Sequence, residues 1–100
     1  FEDVASVSEV ILYKRKQPLL KDAAMALYGD KVVVEGLGTL SFDQTDAVVV
    51  LGRNKLNIYH NGKVYQFKGS KRFNSLKYMN LFFRSKNMAR GDENGKFLGL

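Results

Sequence analysis

Apolar and polar positions alternate along this chain only in short stretches, each broken by Gly, Asn, Asp or Pro, and that is the pattern of strands separated by turns. The clearest case runs from Gly52 to Gly69, GRNKLNIYHNGKVYQFKG, where two alternating segments flank Asn61-Gly62. A tight type I′ turn needs positive φ at both central residues, and Asn-Gly is the pair that meets this requirement. The spacing predicts a hairpin of Lys55–His60 with Lys63–Lys68.

Upstream, Glu9–Lys16 (EVILYKRK) is β-branched and aromatic enough for a strand, with an amphipathic helix over Val4–Tyr13 as the competing reading. Pro18 ends either one, because it lacks a donor and holds Gln17 extended. Ala24–Tyr28, the pair Gly29-Asp30 and the β-prone Lys31–Glu35 form a second hairpin candidate, although Ala23–Ala26 favour helix by propensity. Gly36-Leu37-Gly38 precedes a short strand at Thr39–Phe42. After a turn at Asp43–Asp46, the nearly continuous apolar run Ala47–Leu51 is expected to be the most buried part of the sheet. About seven short strands over residues 9–68 predict an antiparallel barrel or sandwich.

The last element differs in kind. Ser70 is placed to cap a helix, residues 71–90 contain neither Pro nor Gly, and Gly91 is placed to end it. Phe73, Leu76, Met79 and Phe83 share one face at helical spacing and are expected to plug the open end of the sheet. Tyr78, Leu81 and Phe82 fall elsewhere on the wheel and are the candidate partner contacts, unless the N-terminal segment folds over them. The tail, residues 91–100, is turn-rich, with Phe97, Leu98 and Leu100 able to dock. The expected fold class is mainly β (α+β), one domain closed by a single C-terminal amphipathic helix.

A chain of 100 residues supports one core, burying above ~60% of its unfolded surface. With 45% hydrophobic and 26% charged residues and a single proline, the composition is that of a globular domain. No apolar run approaches the roughly 18 residues of a membrane-spanning helix. Absence of cysteine removes disulfides, thiol catalysis and cysteine-based zinc sites, and fits a reducing compartment. The chain begins at Phe1, without a signal-type segment, and reads as a fragment of a longer protein. A net charge of +6 with a pI near 9.7 favours anionic partners, phospholipid headgroups or nucleic acid, against a bland role in solubility.

Little of the chain is suited to catalysis. His60, the only histidine, precedes the Asn61-Gly62 turn and reads as its solvent-facing neighbour, with no carboxylate close in sequence. Ser70 lacks the glycine-rich surroundings of a nucleophile or phosphate loop, and Gly36 and Gly38 are turn glycines. Most carboxylates fall in turns or termini, and nothing pairs them as acid and base. The cations are better placed: Lys14, Arg15 and Lys16 end the first strand, Arg53 and Lys55 flank a turn, and Lys68, Lys71 and Arg72 straddle the passage from sheet to helix. Together they are the candidate anion or lipid site, with Arg53 able to offer phosphate a forked contact. Neither RRM-type aromatic spacing nor a helix-turn-helix pattern is present, so no specific nucleic-acid partner is expected.

Seven short strands followed by one helix resemble the pleckstrin-homology (PH) superfold, in particular its GRAM-like and bacterial PH-like members. The carriers are KVVVEGLGTLSFDQTDAVVVLGRNKLNIYHNGKVYQFKG and the helix from Lys71, covering about residues 24–90. More narrowly, LGRNKLNIYHNGKVYQFKGSKRFNSLKYMNLFFRSKN followed by GDENGKFLGL resembles the C-terminal extension of some bacterial acyltransferases of the lysophosphatidate type. That family's catalytic pattern places an aspartate after four residues from a histidine, and Tyr65 stands at that distance from His60, so no catalytic residue carries over. The resemblance implies a non-catalytic accessory module without cofactor, cytoplasmic or peripheral at the inner membrane face. Its partner would be its own upstream catalytic domain or an anionic membrane surface; the alternative is a protein-interaction domain using the helix face of Tyr78, Leu81 and Phe82.

Overall fold

The computed structural model describes residues 3–13, 15, 17–70 and 72–90. Seven strands, β1 (Asp3–Leu12), β2 (Leu20–Leu27), β3 (Lys31–Val34), β4 (Gly38–Ser41), β5 (Thr45–Gly52), β6 (Lys55–His60) and β7 (Lys63–Gly69), are followed by one helix, α1 (Ser75–Arg90). A single 3-10 turn, Phe42–Gln44, joins β4 to β5. The order across the sheet is β4-β3-β2-β1-β7-β6-β5 with every pair antiparallel, so β1 sits at the centre and β4 and β5 are the free edges. The sheet curls into a half-barrel.

The β6–β7 hairpin forms as expected, with β7 one residue longer at Gly69, and pairs His60 with Lys63; Asn61 (φ 51°) and Gly62 (φ 82°) both adopt the left-handed region. The curl has a local origin in β1. Its register against β7 slips between Val7 and Glu9, leaving Ser8 as an extra residue whose hydroxyl donates to the Lys68 carbonyl at 3.0 Å. Asp22 on the neighbouring β2 takes φ 52° beside the same point. Such a bulge bends and twists a strand, which turns the β5–β7 half of the sheet away from the β2–β4 half.

Alternate residues of each strand line the concave side: Val7 and Val10, Met25 and Leu27, Val32 and Val34, Leu56 and Ile58, Tyr65 and Phe67 are all buried. The N-terminal segment is therefore strand from Asp3, not helix, and β2 forms despite its alanines because Ala23, Met25 and Leu27 alternate inward. β5 departs from expectation. It is an edge strand, buried only at Thr45 and Val48, while Val49 and Leu51 face solvent. A continuous apolar run reads as a central strand, but its position is set by strand order, which local pattern does not carry.

The helix also differs. It begins at Ser75, and its cap is Asn74, whose side-chain oxygen accepts from the Leu76 N–H at 3.1 Å; Ser70 instead accepts the Phe73 N–H in a preceding turn. α1 packs on β5 and the 3-10 turn through Tyr78, Leu81 and Phe82, all buried, with Phe82 edge-to-face against Phe42 at 5.7 Å between centroids. Leu76 and Phe83, expected inside, are 49% and 39% exposed, and Met79 is half-buried. The inversion has a definite cause. Phe73 is buried but precedes the helix, so a wheel phased on it turns the wrong face inward. The expected docking of Phe97, Leu98 and Leu100 lies outside the described residues.

Candidate functional site

The start of α1 is fixed by an anchor at the end of the sheet. Ser75 is fully buried; its N–H donates to the Arg53 carbonyl at 2.9 Å, and its hydroxyl lies 2.5 Å from the Gly52 carbonyl and 2.9 Å from that of Arg53. The same turn is tied to β7, since the Gly69 N–H donates to the Asn54 carbonyl at 2.7 Å and the Asn54 side-chain amide donates back to the Gly69 carbonyl at 3.3 Å. Phe73 fills the remaining space so closely that a Cβ on Gly69 would collide with its ring. Gly69 is therefore glycine for room: the backbone of β7 and an aromatic ring occupy adjacent space.

This clamp brings four of the predicted cations together. Arg53 and Lys55 leave the β5–β6 turn, Lys68 is the ladder partner of Lys55 on the convex side, and Arg72 lies in the short link that the clamp holds. Arg53, Lys68 and Arg72 are exposed. Glu9 of β1 is in register with Lys68, yet none of the four makes an ion pair with a described carboxylate; the Lys31–Asp30 pair, at 3.9 Å, belongs to the β2–β3 turn. Arg15 does not join them. Its N–H bonds to the Leu12 carbonyl, and Leu12 pairs with Tyr65, which puts Arg15 toward the opposite end of β7 from Lys68. Lys14, Lys16 and Lys71 lie outside the described residues.

The candidate partner face of Tyr78, Leu81 and Phe82 is corrected by the same geometry: these side chains are core, and the protein-interaction reading built on them falls. What the outward side of α1 carries instead is Leu76, Asn80, Phe83 and Arg84, with Lys77 and Lys86 on its flanks and Lys86 5.6 Å from the Phe82 ring centroid. Lys77, Arg84 and Lys86 were not among the predicted site residues. The signal that finds them is the distribution of charge: residues 47–91 contain ten Lys and Arg and no Asp or Glu, whereas residues 1–46 hold eight acids against five bases.

His60 is half-buried rather than solvent-facing, and Asp46 approaches it because Thr45 is its partner across the β5–β6 ladder. Desolvation lowers its pKa from the ordinary value, and the Asp46 carboxylate opposes part of that shift. Among the described residues no cluster of His, Cys, Asp and Glu could hold a metal ion, and no helix is long and apolar enough to cross a membrane. No protein-family model matches the chain, and a search of curated proteins returned no significantly similar sequence.

Proposed function

We propose that the domain is a non-catalytic PH-like module that holds a parent enzyme, of the lysophosphatidate acyltransferase type, against an anionic membrane surface. The observation that carries the membrane reading is the acid-free stretch of residues 47–91, whose Arg53, Lys55, Lys68 and Arg72 are gathered at one end by the Ser75 clamp. None of these four forms an ion pair with a described carboxylate, so their field stays available to a phosphate-bearing surface, and each adds attraction within a Debye length of it. The PH-like reading is supported by seven antiparallel strands in a curled sheet followed by one helix packed on its concave side. The parent activity rests on the resemblance of residues 51–87 and 91–100 to the acyltransferase extension.

Co-sedimentation with vesicles tests the membrane reading. Recovery with phosphatidylcholine vesicles containing phosphatidylserine, and its loss in high salt or with phosphatidylcholine alone, is the expected result. Equal amounts of protein left in the supernatant with both kinds of vesicle would overturn it.

A further inference from the structure

The membrane reading leaves open which surface meets the lipid, and two exposed apolar patches compete. One lies on the convex side of β1–β3, where Val4, 58% exposed, stands beside Ala24, Ala26 and Val33. The other is the outward stripe of α1, Leu76 and Phe83, seven residues and hence two turns apart, about 10 Å along the axis. They are distinguished by their charged surroundings. Asp22 and Glu35 belong to the strands and turn around the first patch. Around the second there is no acid in the whole helix, and Lys77, Arg84 and Lys86 flank the stripe.

Packing accounts for only part of the stripe. The inward side of α1 is filled by Tyr78, Leu81 and Phe82, and although the Phe83 ring meets that of Phe82 at 5.6 Å between centroids, Leu76 and Phe83 stay 49% and 39% exposed. Beside Leu76 a shallow groove of about 510 Å³ is lined by Asn74, Leu76, Lys77, Asn80, Leu81 and Arg84, with neutral amides and cations bordering apolar side chains. Apolar groups flanked by Lys and Arg are the pattern of a helix that lies in the headgroup region of an anionic bilayer, with its apolar stripe dipped toward the acyl chains.

We propose that α1 is this element: Leu76 and Phe83 enter the lipid surface, while Lys77 and Arg84 meet phosphates beside them and the Arg53–Arg72 end contacts headgroups next to the first turn. The proposal rests on the membrane reading above and adds a depth and an orientation to it. The occupant is an anionic lipid surface because charge complementarity selects a polyanion, and the two apolar side chains require that polyanion to overlie a hydrocarbon layer.

The chain has no tryptophan, so a single introduced indole reports its own surroundings. In Phe83→Trp, and separately in Leu76→Trp, emission is expected to shift to the blue on adding phosphatidylcholine vesicles containing phosphatidylserine, and to be quenched when the acyl chains carry bromine. Val4→Trp is expected to show neither effect. Replacing Leu76 and Phe83 together by Ala is expected to weaken partitioning roughly tenfold. If the unmodified chain sediments with these vesicles while neither helix indole shifts, or while Val4→Trp shifts instead, the orientation is wrong and the membrane reading stands. Failure of the unmodified chain to sediment removes both, and indoles already blue-shifted without lipid would show the stripe covered by the protein itself and overturn the insertion.

Discussion

The strands β1–β4 and the segment from β5 through α1 form the two parts of one curled sheet and share one core, yet they are built on different electrostatic plans. Acids and bases are interspersed in the first; the second carries ten bases and, from residue 47 to 91, no acid. A domain needing charge only for solubility has no reason to sort it by sign. Sorting costs stability through self-repulsion, as at Lys55 and Lys68, which stand directly opposite each other on adjacent strands. Such a cost is retained where the field itself is used, and this difference between the halves is why the proposed membrane contact is assigned to the second.

The comparison is broken most severely on α1. Phe82→Ala or Tyr78→Ala should cost about 3–5 kcal/mol in a denaturant titration, because each removes a buried ring from the contact with β5 and the 3-10 turn. Phe83→Ala, one residue away but 39% exposed, should cost much less, about 1 kcal/mol from its contact with the Phe82 ring. Equal losses would mean that the stripe is structural and not a free surface.

Reversing charge separates the halves next. Arg53→Glu with Lys68→Glu should lower affinity for anionic vesicles by about 2 kcal/mol or more, roughly thirtyfold, taking each cation as worth about 1 kcal/mol near the surface. Lys21→Glu with Lys31→Glu changes net charge equally and should have much less effect. If sedimentation falls alike in both pairs, net charge alone governs binding and the placement of the cations is irrelevant.

A smaller effect is expected at the clamp. Ser75→Ala leaves the N–H bond to the Arg53 carbonyl but removes the hydroxyl from two carbonyls, so a loss of about 1 kcal/mol is expected by thermal or chemical unfolding. Amide exchange in that variant should quicken at residues 52–54 and 69–75 ahead of the rest of the sheet. Uniform quickening would show that the clamp is not a separate device.

The smallest effect is at the boundary between the halves, where Asp46, the last acid before the cationic stretch, faces His60. Because the folded pKa of His60 lies below its unfolded value, the unfolded chain binds the proton more readily. Stability from the neutral imidazole is therefore complete above the unfolded value, near 6.5, and is lost as pH falls through the lower folded value. His60→Gln should remove that part of the acid-side slope in unfolding curves taken at several pH values; an unchanged slope would place the titration elsewhere.

Much of this was legible from local chemistry. Asn61-Gly62 specified its turn and thereby the register of β6 against β7, because only the backbone angles of two residues were at stake. The face of α1 was not legible, since its phase is set by Ser75 meeting the β5–β6 turn and by Phe73 lodging against Gly69, contacts between segments distant in sequence. The exposure of β5 follows from its place at the edge, which strand order decides. Among the cations, Arg53 and Lys55 were legible at one turn and Lys68 and Arg72 at the passage from sheet to helix; that the two places adjoin, and that Arg15 lies away from them, depends on the Asn54–Gly69 bonds and the strand directions. The outward cations of α1 were in view as an acid-free run, a signal carried by the distribution of charge and not by any short motif.

The central claim is that the segment from β5 through α1 is the lipid-facing half. Amide NMR signals followed while the 100-residue chain is titrated with bicelles containing phosphatidylserine test it most directly. The account predicts shifts and broadening at residues 52–55, 68–70 and 72–86, with β2, β3 and β4 unchanged. Perturbation centred on β2–β4, or spread evenly over the sheet, would contradict it.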